Sequence, residues 1–340
     1  MTTRMFSEAA EAPNRVRAQL TANAPRIADL AARLRKVPPR VVTTLGRGSS
    51  DNAATYARYL VETRLGVMTA SSSPSVSSVY EAPQDMEGVA TLAISQSGRS
   101  PDLLSAAQAA KAAGALVVAL VNDEASPLAA LADVTLPLKA GSETSVAATK
   151  SFITALTAIA QLVAAWSEDQ ALTRALDDLP NRLEEAWALD WRAALPPLAG
   201  AEHLYVLARG LGFGTAQEAA LKFKETCGLH AEAFSSAEVR HGPMALIGPS
   251  FPVLAFTQSD AAGEGVAEAA AGFAGQGAPV IQVGGQASTR VIRLPAASGH
   301  PALEPICQIQ SFYRFADALA QARGFDPDRP SHLRKVTETL

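Results

Sequence analysis

The sequence has few of the residues that mark disulfide-rich or metal-binding proteins. Its two cysteines, Cys227 and Cys307, lie far apart, so neither a disulfide framework nor a cysteine-based zinc site is indicated. We expect both to be buried thiols. No two of the five histidines stand at the short spacing that puts two metal ligands on one helix face. The residue pattern therefore requires no metal.

Long apolar runs and a large excess of either charge are also missing. Lys and Arg total 29 against 33 Asp and Glu, a net charge of -4, which gives no electrostatic reason to expect nucleic acid as a partner. No stretch is apolar for long enough to span a bilayer, and residues 1–20 lack the apolar core of a signal peptide. We expect a cytoplasmic protein that acts on a small molecule, without a membrane or nucleic-acid partner.

Glycine patterns that bind nucleotides are absent too. The string GRGSSD at 46–51 lacks the third glycine of a dinucleotide fingerprint, and Gly210, Gly212 and Gly214 have the wrong spacing for one. No G-x-x-x-x-G-K-[ST] string occurs, which disfavours an ATPase. We therefore predict no cofactor.

What the sequence does contain is a repeated alternation of apolar strands and helices. Its 340 residues, 48% hydrophobic and 18% charged, predict two domains, with one large α/β domain as the alternative. After a helical lead-in, the predicted buried strands of the first half are RVVTTLG, GVATLAIS, ALVVALVN and DVTLPLK. Such strands alternating with helices predict right-handed crossovers and a largely parallel, doubly wound sheet.

The second half repeats this pattern after an Ala- and Leu-rich helical stretch at 145–187. Its predicted strands are HLYVLARG, PVLAFTQ, PVIQVG and VIRLPA. Each half opens with a strand, a turn containing Gly and Arg, and a helix with Glu-Thr near its end, at 62–63 and 225–226. We interpret this as an internal duplication.

Two serine-rich turns are the sharpest local signals. The string SQSGRSPD at 95–102 follows a buried strand and begins a helix, with Pro101 at the predicted first helical position. Hydroxyls, backbone N–H groups and the positive end of the helix dipole suit a phosphate monoester there. An ordinary serine-capped helix start explains such a string equally well. The turn at 46–50 ends the first strand, and both turns are predicted at the carboxyl edge of one sheet, where doubly wound folds bind ligands.

The second half carries ionisable residues on and after a predicted helix. Glu225 lies one turn beyond Lys222, so both side chains can point to the same side. Taken alone, this spacing favours a solvent-exposed ion pair. His241, which precedes Gly242 and Pro243, is equally well explained as the last residue of a helix.

Five strings extend these signals into a resemblance that spans nearly the whole chain. SQSGRSPD, SETSVAATKSF, ALKFKET, HAEAFSSAEVRHGPMALI and HLRKVTETL occur in the order found in the sugar isomerase (SIS) domains of glucosamine-6-phosphate synthase. The chain thus resembles the double-SIS-domain phosphosugar isomerases. The resemblance implies an α/β fold with two tandem SIS domains, each a doubly wound five-stranded parallel sheet flanked by helices. The implied domains are 39–187 and 188–325, after a helical lead-in at 1–38 and before a tail at 326–340 that closes the active site.

The resemblance also implies roles for individual residues. Glu225 would move a proton between C1 and C2 of the sugar, with Lys222 supporting charge beside it, while His241 would assist ring opening. Lys335 would form a Schiff base with the open-chain ketose. The main chain at Val146 and Ala147 would meet the sugar hydroxyls, and the phosphate would be held by Ser49, Ser50, Ser95, Gln96, Ser97 and Ser100. Family members are dimers in which the histidine reaches the neighbouring active site, so a homodimer with shared active sites is implied.

Two departures from the synthase direct the expected reaction. The chain begins MTTRMF and has no cysteine before Cys227, so we expect no glutaminase nucleophile and no glutamine amidotransfer. Arg47 and Arg99 replace a cysteine and an acidic residue of the synthase loops, and both changes resemble stand-alone SIS deaminases. Free ammonia at low concentration favours deamination by mass action. We therefore predict conversion of glucosamine 6-phosphate to fructose 6-phosphate and ammonia.

Other functions of the same fold remain open at this stage. The nearest are a galactosamine-6-phosphate deaminase, a fructosamine-phosphate deglycase and a plain aldose-ketose isomerase. A non-catalytic sugar-phosphate sensor is disfavoured, because the residues before the first strand leave too little room for a helix-turn-helix module. A nicotinamide-dependent dehydrogenase is disfavoured by the glycine spacing.

Overall fold

Two five-stranded parallel sheets organise the chain in a computed structural model that describes residues 2–286, 290–333 and 335. The first sheet has the order β2-β1-β3-β4-β5, with strands β1 Val41–Leu45, β2 Thr69–Ser71, β3 Val89–Ser95, β4 Leu116–Val121 and β5 Val134–Pro137. The second has the order β10-β9-β8-β6-β7, with strands β6 His203–Ala208, β7 His230–Ser235, β8 Val253–Phe256, β9 Val280–Val283 and β10 Ile292–Leu294.

Both sheets have the same topology. Read from its other end, the second sheet runs β7-β6-β8-β9-β10, which repeats the order of the first with each strand replaced by its counterpart. This is the doubly wound 2-1-3-4-5 arrangement, in which ligands bind at the carboxyl edge near the first and third strands. The predicted fold class and the predicted duplication are confirmed.

Helices connect the successive strands, except that the described residues between β9 and β10 contain none. The α-helices are α1 Arg4–Ala10, α2 Ala12–Lys36, α3 Ser49–Leu65, α4 Pro74–Ser78, α5 Pro101–Ala112, α6 Pro127–Leu131, α7 Lys150–Trp166, α8 Gln170–Ala188, α9 Leu195–Ala199, α10 Phe213–Cys227, α11 Ala261–Gly275 and α12 Glu304–Ala322. Short 3-10 helices occupy Arg192–Ala194, Gly210–Gly212, Glu238–His241 and Pro243–Leu246. No helix of the described residues is both long and apolar enough to cross a membrane.

The chain divides into two compact units. The first-sheet unit contains Asn14–Glu143, Lys150–Asp177 and Lys335, and the second-sheet unit contains 2–13, Thr144–Thr149 and Asp178–Leu333 within the described residues. Helix α7 is buried on nearly all sides in the first-sheet unit, and α12 is buried to a similar extent in the second-sheet unit. A helix that is mostly apolar all round belongs in a core, which describes α7, whereas α12 also buries polar side chains.

The central strands were predictable because each is a continuous apolar run. All seven residues of β3 and all four of β8 and of β9 are buried. The strands β2 and β7, which lie at sheet edges, were not predicted; β7 has one buried residue, Ala231, among its six. Cys227 and Cys307 are buried free thiols, as predicted.

Candidate active site

The second serine loop, residues 95–100, begins where β3 ends and leads into α5. The Ser95 hydroxyl accepts a hydrogen bond from the Gly98 N–H at 2.9 Å, and Ser97 Oγ accepts one from the Arg99 N–H at 3.4 Å. Gly98 has a φ of +63°, and a Cβ added to it would lie 2.3 Å from Ser126 Oγ. Glycine is required for both reasons, so the loop holds one tight conformation.

The start of α5 bears on both explanations of this loop. Ser100 is the N-cap residue of α5, and Pro101 occupies the first turn as predicted, but the Ser100 side chain makes no capping hydrogen bond. Ser100 thus occupies the N-cap position without using its hydroxyl as the cap. Gln96, Ser97 and Ser100 are partly exposed, so their polar atoms are accessible at the carboxyl end of β3.

The first serine loop, residues 46–50, joins β1 to α3. Gly48, with a φ of 55°, is the N-cap, and Ser49 and Ser50 are the first two residues of α3, both half-buried. β1 pairs with β3 in parallel, so both serine loops lie at the carboxyl edge of the first sheet, as predicted. Arg47 connects them: its Nε and Nη2 lie 3.0 and 2.9 Å from Oδ2 of Asp102 in the first turn of α5.

In the second-sheet unit, α10 carries a cluster of three charged side chains. Lys222 Nζ lies 2.5 Å from Glu225 Oε2 and 3.3 Å from Glu218 Oε1. The Lys222 side chain is 1% exposed and that of Glu218 0%, while Glu225 keeps 21% exposure. The Tyr313 hydroxyl, from α12, donates to Glu218 Oε1 at 3.1 Å. The expectation of a solvent-exposed Lys222–Glu225 pair is wrong, because α12 and the core cover Lys222.

Burial and the two carboxylates act on Lys222 in opposite directions. Desolvation lowers the pKa of Lys222, and the charges and hydrogen bonds of Glu218 and Glu225 raise it by more, so that the net pKa lies above the ordinary value. Lys222 therefore remains an ammonium ion at neutral pH. A carboxylate that is partly exposed beside a fixed buried cation can accept and return a proton at a substrate carbon.

The remaining predicted residues of the second-sheet unit lie outside its α-helices and strands. Val146 and Ala147 belong to the segment Thr144–Thr149, which Glu8 of α1 holds in place. The Glu8 carboxylate accepts hydrogen bonds from Thr144 N at 2.6 Å and Ser145 N at 3.1 Å. His241 ends the 3-10 helix Glu238–His241 and is exposed.

Lys335 lies in the first-sheet unit beside a buried carboxylate. Its Nζ is 3.6 Å from Oε2 of Glu143, whose side chain is 0% exposed. Glu143 also accepts hydrogen bonds from Ser151 at the start of α7, from N at 3.2 Å and from Oγ at 2.6 Å. The rest of the string HLRKVTETL after Leu333 lies outside the described residues.

A comparison with protein families agrees with this architecture. The family described as SIS domain matches residues 38–165 and 197–298, which are the two sheet-bearing halves of the chain. The chain belongs to the SIS domain family. Each SIS domain contributes one of the two sheets.

Individual relatives support the same assignment. A solved structure from Silicibacter pomeroyi DSS-3, provisionally named a phosphosugar isomerase, is 44% identical and superposes with a TM-score of 0.92 over 96% of this chain and 100% of that one. The C-terminal domain of glucosamine-fructose-6-phosphate aminotransferase from Francisella tularensis is 26% identical, with a TM-score of 0.86 over 97% and 99% of the two chains. Glutamine--fructose-6-phosphate aminotransferase [isomerizing] from Aeropyrum pernix is 35% identical over 86% of this chain and 50% of its own length. This SIS protein spans about half the length of the curated relatives it matches.

Three acidic residues of the SIS protein escaped the sequence analysis. Glu218, Asp102 and Glu143 contact Lys222, Arg47 and Lys335, respectively. Glu218 had a local signal, since it stands four residues before Lys222 on one helix. The other two had none, because their partners are remote in sequence.

Proposed function

We propose that this SIS protein converts glucosamine 6-phosphate and water to fructose 6-phosphate and ammonia. The observation that carries the proposal is the cluster of Glu218, Lys222 and Glu225, with one carboxylate partly exposed and a buried ammonium ion beside it. A paired carboxylate of this kind is a competent general base for carbon acids next to a carbonyl group.

The phosphate-binding part of the proposal rests on the serine loops. Their hydroxyls and the starts of α3 and α5 are suited to a phosphate monoester, because helix starts carry N–H donors and a partial positive charge. The residues proposed to hold the phosphate are Ser49, Ser50, Ser95, Gln96, Ser97 and Ser100. The main chain at Val146 and Ala147 is proposed to meet the sugar hydroxyls.

The proposed reaction shifts protons between C1 and C2 and replaces one amine. His241 assists opening of the sugar ring to the aldehyde. Glu225 removes the proton from C2 and returns it to C1, while a proton passes from the amine nitrogen to the C1 oxygen, so that the aldehyde becomes a hydroxyl and the C2 amine becomes an imine. The Lys335 amine then adds to C2 and ammonia leaves, and water hydrolyses the resulting Schiff base to release the ketose phosphate and the free lysine. Lys222 keeps a positive charge beside Glu225 throughout.

The decisive experiment measures ammonia and fructose 6-phosphate together from glucosamine 6-phosphate. We expect equal amounts of both from the wild type and a loss of at least about 100-fold in rate for Glu225→Gln. Glu62→Gln is the matched control, since Glu62 is the counterpart of Glu225 in the first repeat and is exposed. Full activity of Glu225→Gln would contradict the mechanism, and no ammonia from any hexosamine phosphate would contradict the function.

The names of the curated relatives favour a second candidate, amination of fructose 6-phosphate. The proton transfer between C1 and C2 is reversible, so the reverse reaction can be tested directly. Free ammonia is supplied as the nitrogen source. Incubating fructose 6-phosphate with ammonium at rising concentration measures this direction. A panel of glucosamine, galactosamine and fructosamine phosphates then separates the deaminase, the deglycase and the plain isomerase.

We further propose that the protein is a homodimer with shared active sites, as the exposed position of His241 permits. Sedimentation velocity of the wild type tests the dimer. Mixing His241→Ala with Glu225→Gln tests the sharing, since only a hybrid dimer with shared sites would recover one complete active site.

A further inference from the structure

The two serine loops contain two arginines with different partners. The side chains of Arg47 and Arg99 are both 54% exposed. Arg99 pairs at 2.8 Å with Asp123, which is itself 38% exposed, whereas Arg47 pairs with Asp102, which is 0% exposed. An exposed pair contributes little, while a buried carboxylate depends on its cation. The Arg47 pair is therefore the structural one.

Asp102 is anchored from two sides. Its Oδ1 accepts a hydrogen bond from the Leu103 N–H at 2.8 Å, and its Oδ2 accepts from Nε of Arg47 and also contacts Nη2 of the same guanidinium group. Only the planar guanidinium group presents two donors in this fixed fork, and Nη1 carries two further donors. The position of Arg47 relative to the start of α5 is thereby fixed.

The backbone passes this constraint on to the first serine loop. The Arg47 carbonyl accepts a hydrogen bond from the Ser50 N–H at 3.1 Å, which closes the turn that begins α3. The charge of Arg47 also acts on Asp51, which follows Ser50. Burial raises the pKa of the Asp51 carboxyl, and the Arg47 guanidinium charge opposes that rise. The guanidinium group thus lies among the first residues of both helices.

We infer that Arg47 is a positioning residue for the phosphate. Held by buried Asp102, it ties the first serine loop to the start of α5, so that the hydroxyls of both loops face one phosphate group. It also neutralises the Asp102 carboxylate, which would otherwise repel a dianion. The inference rests on the proposed function, in which these loops bind the sugar phosphate.

Binding of inorganic phosphate, measured by calorimetry, tests the inference without turnover. We expect Arg47→Met to raise the dissociation constant by about tenfold or more, the scale of a lost charge-assisted contact. Arg47→Lys keeps the charge but not the fork, and an intermediate loss is expected. In turnover the KM for the sugar phosphate should rise with kcat unchanged, because the lost interaction holds the phosphate equally in the ground state and the transition state.

Two control variants separate position from general electrostatics. Arg99→Met removes an equally exposed cation of the second serine loop, and Lys111→Met removes a cation paired with Asp133 at the far end of α5. Both should change phosphate affinity by less than about twofold. An effect of Arg99→Met as large as that of Arg47→Met would show that net charge alone acts, and would overturn the inference.

A double variant covers the possibility that Arg47→Met unfolds. Arg47→Met with Asp102→Asn removes the uncompensated buried charge and keeps the shape of the side chain. We expect it to fold and still to bind phosphate weakly, because the tie between the loops is missing. Wild-type affinity in Arg47→Met or in the double variant would overturn the inference alone, whereas absence of phosphate binding by the wild type would overturn it together with the proposed function.

Discussion

Lys222 is the buried cation that pairs with two glutamates of α10. It neutralises Glu218, which is fully buried, and Glu225, which is partly buried. A cation between two carboxylates is needed here because an uncompensated buried charge is costly. The chemistry proposed for Glu225 and the stability of the helix therefore depend on one residue.

Replacing Lys222 should harm both stability and activity. We expect Lys222→Met to lower the free energy of unfolding by about 3–5 kcal/mol, because it removes the buried cation that pairs with the buried Glu218 carboxylate. Turnover should fall at least as far as in Glu225→Gln. Lys224→Met, at an exposed position of the same helix, should change the stability by less than about 0.5 kcal/mol. Urea unfolding of the three proteins is the measurement, and equal stabilities would contradict the assigned role.

The stability difference between the wild type and Lys222→Met should change with pH in one direction. The folded-state pKa of Lys222 lies above the ordinary lysine value of 10.5, so its stabilising charge is fully present below pH 10.5. That contribution is lost as the pH rises through the higher, folded-state pKa. The stability difference between the wild type and Lys222→Met should therefore stay constant from neutral pH to about 10 and shrink above it. A difference that already shrinks between pH 7 and pH 9 would contradict the raised pKa.

At the scale of the elements, the second serine loop depends on one glycine. Gly98 and Gly66 have nearly the same positive φ, 63° and 65°. A Cβ on Gly98 would meet Ser126 and Val121 at less than 3.0 Å, whereas one on Gly66, at the end of α3, would meet nothing within 4 Å. The two positions separate backbone strain from steric overlap.

Alanine at these two glycines should give unequal costs. Gly66→Ala should destabilise by about 1–2 kcal/mol, the strain of a left-handed backbone alone. Gly98→Ala adds overlap of about 1–3 kcal/mol and should also weaken phosphate binding, because the loop has to shift. Thermal unfolding and phosphate calorimetry check both variants. Equal stabilities of Gly66→Ala and Gly98→Ala would show that the second serine loop shifts without cost to make room for the added methyl group.

At the scale of the whole molecule, the duplicated halves carry different chemistry on one topology. In the first repeat, exposed Glu62 accepts a hydrogen bond from the Thr69 N–H at the start of β2. In the second repeat, its counterpart Glu225 pairs with Lys222, where the first repeat has Tyr59. Serine loops follow β1 and β3, whereas the 3-10 helix Gly210–Gly212 follows β6. The two halves therefore share one fold. They differ in the residues around the equivalent glutamates and in the turns that follow the strands.

The reactivity of the buried thiols Cys227 and Cys307 measures how readily the second-sheet unit opens to solvent. Burial raises the pKa of Cys227 to about 11 and that of Cys307 to about 12, so neither forms much thiolate at pH 8. We expect no reaction with an aromatic disulfide reagent in the native protein and two thiols per chain in guanidinium chloride. A fast native reaction would contradict the packing of α10 and α12.

Much of the fold could be predicted from the sequence because its signals are local. Apolar runs predicted the central strands and the edge strands β5 and β10, but β2 and β7 escaped because neither contains such a run. The lead-in helices were expected as one segment. They are divided between the two units, because α1 packs on α12 of the second-sheet unit.

The sequence by itself determined the alternation of strands and helices, the duplication, the serine loops and the spacing of Lys222 and Glu225, since these are set by residues close in the chain. Only the tertiary structure decided which charges are buried and paired. Tyr313 reaches Glu218, Arg47 reaches Asp102 and Lys335 reaches Glu143, each across a long stretch of chain. Burial depends on what packs over a residue, and no local pattern contains that information.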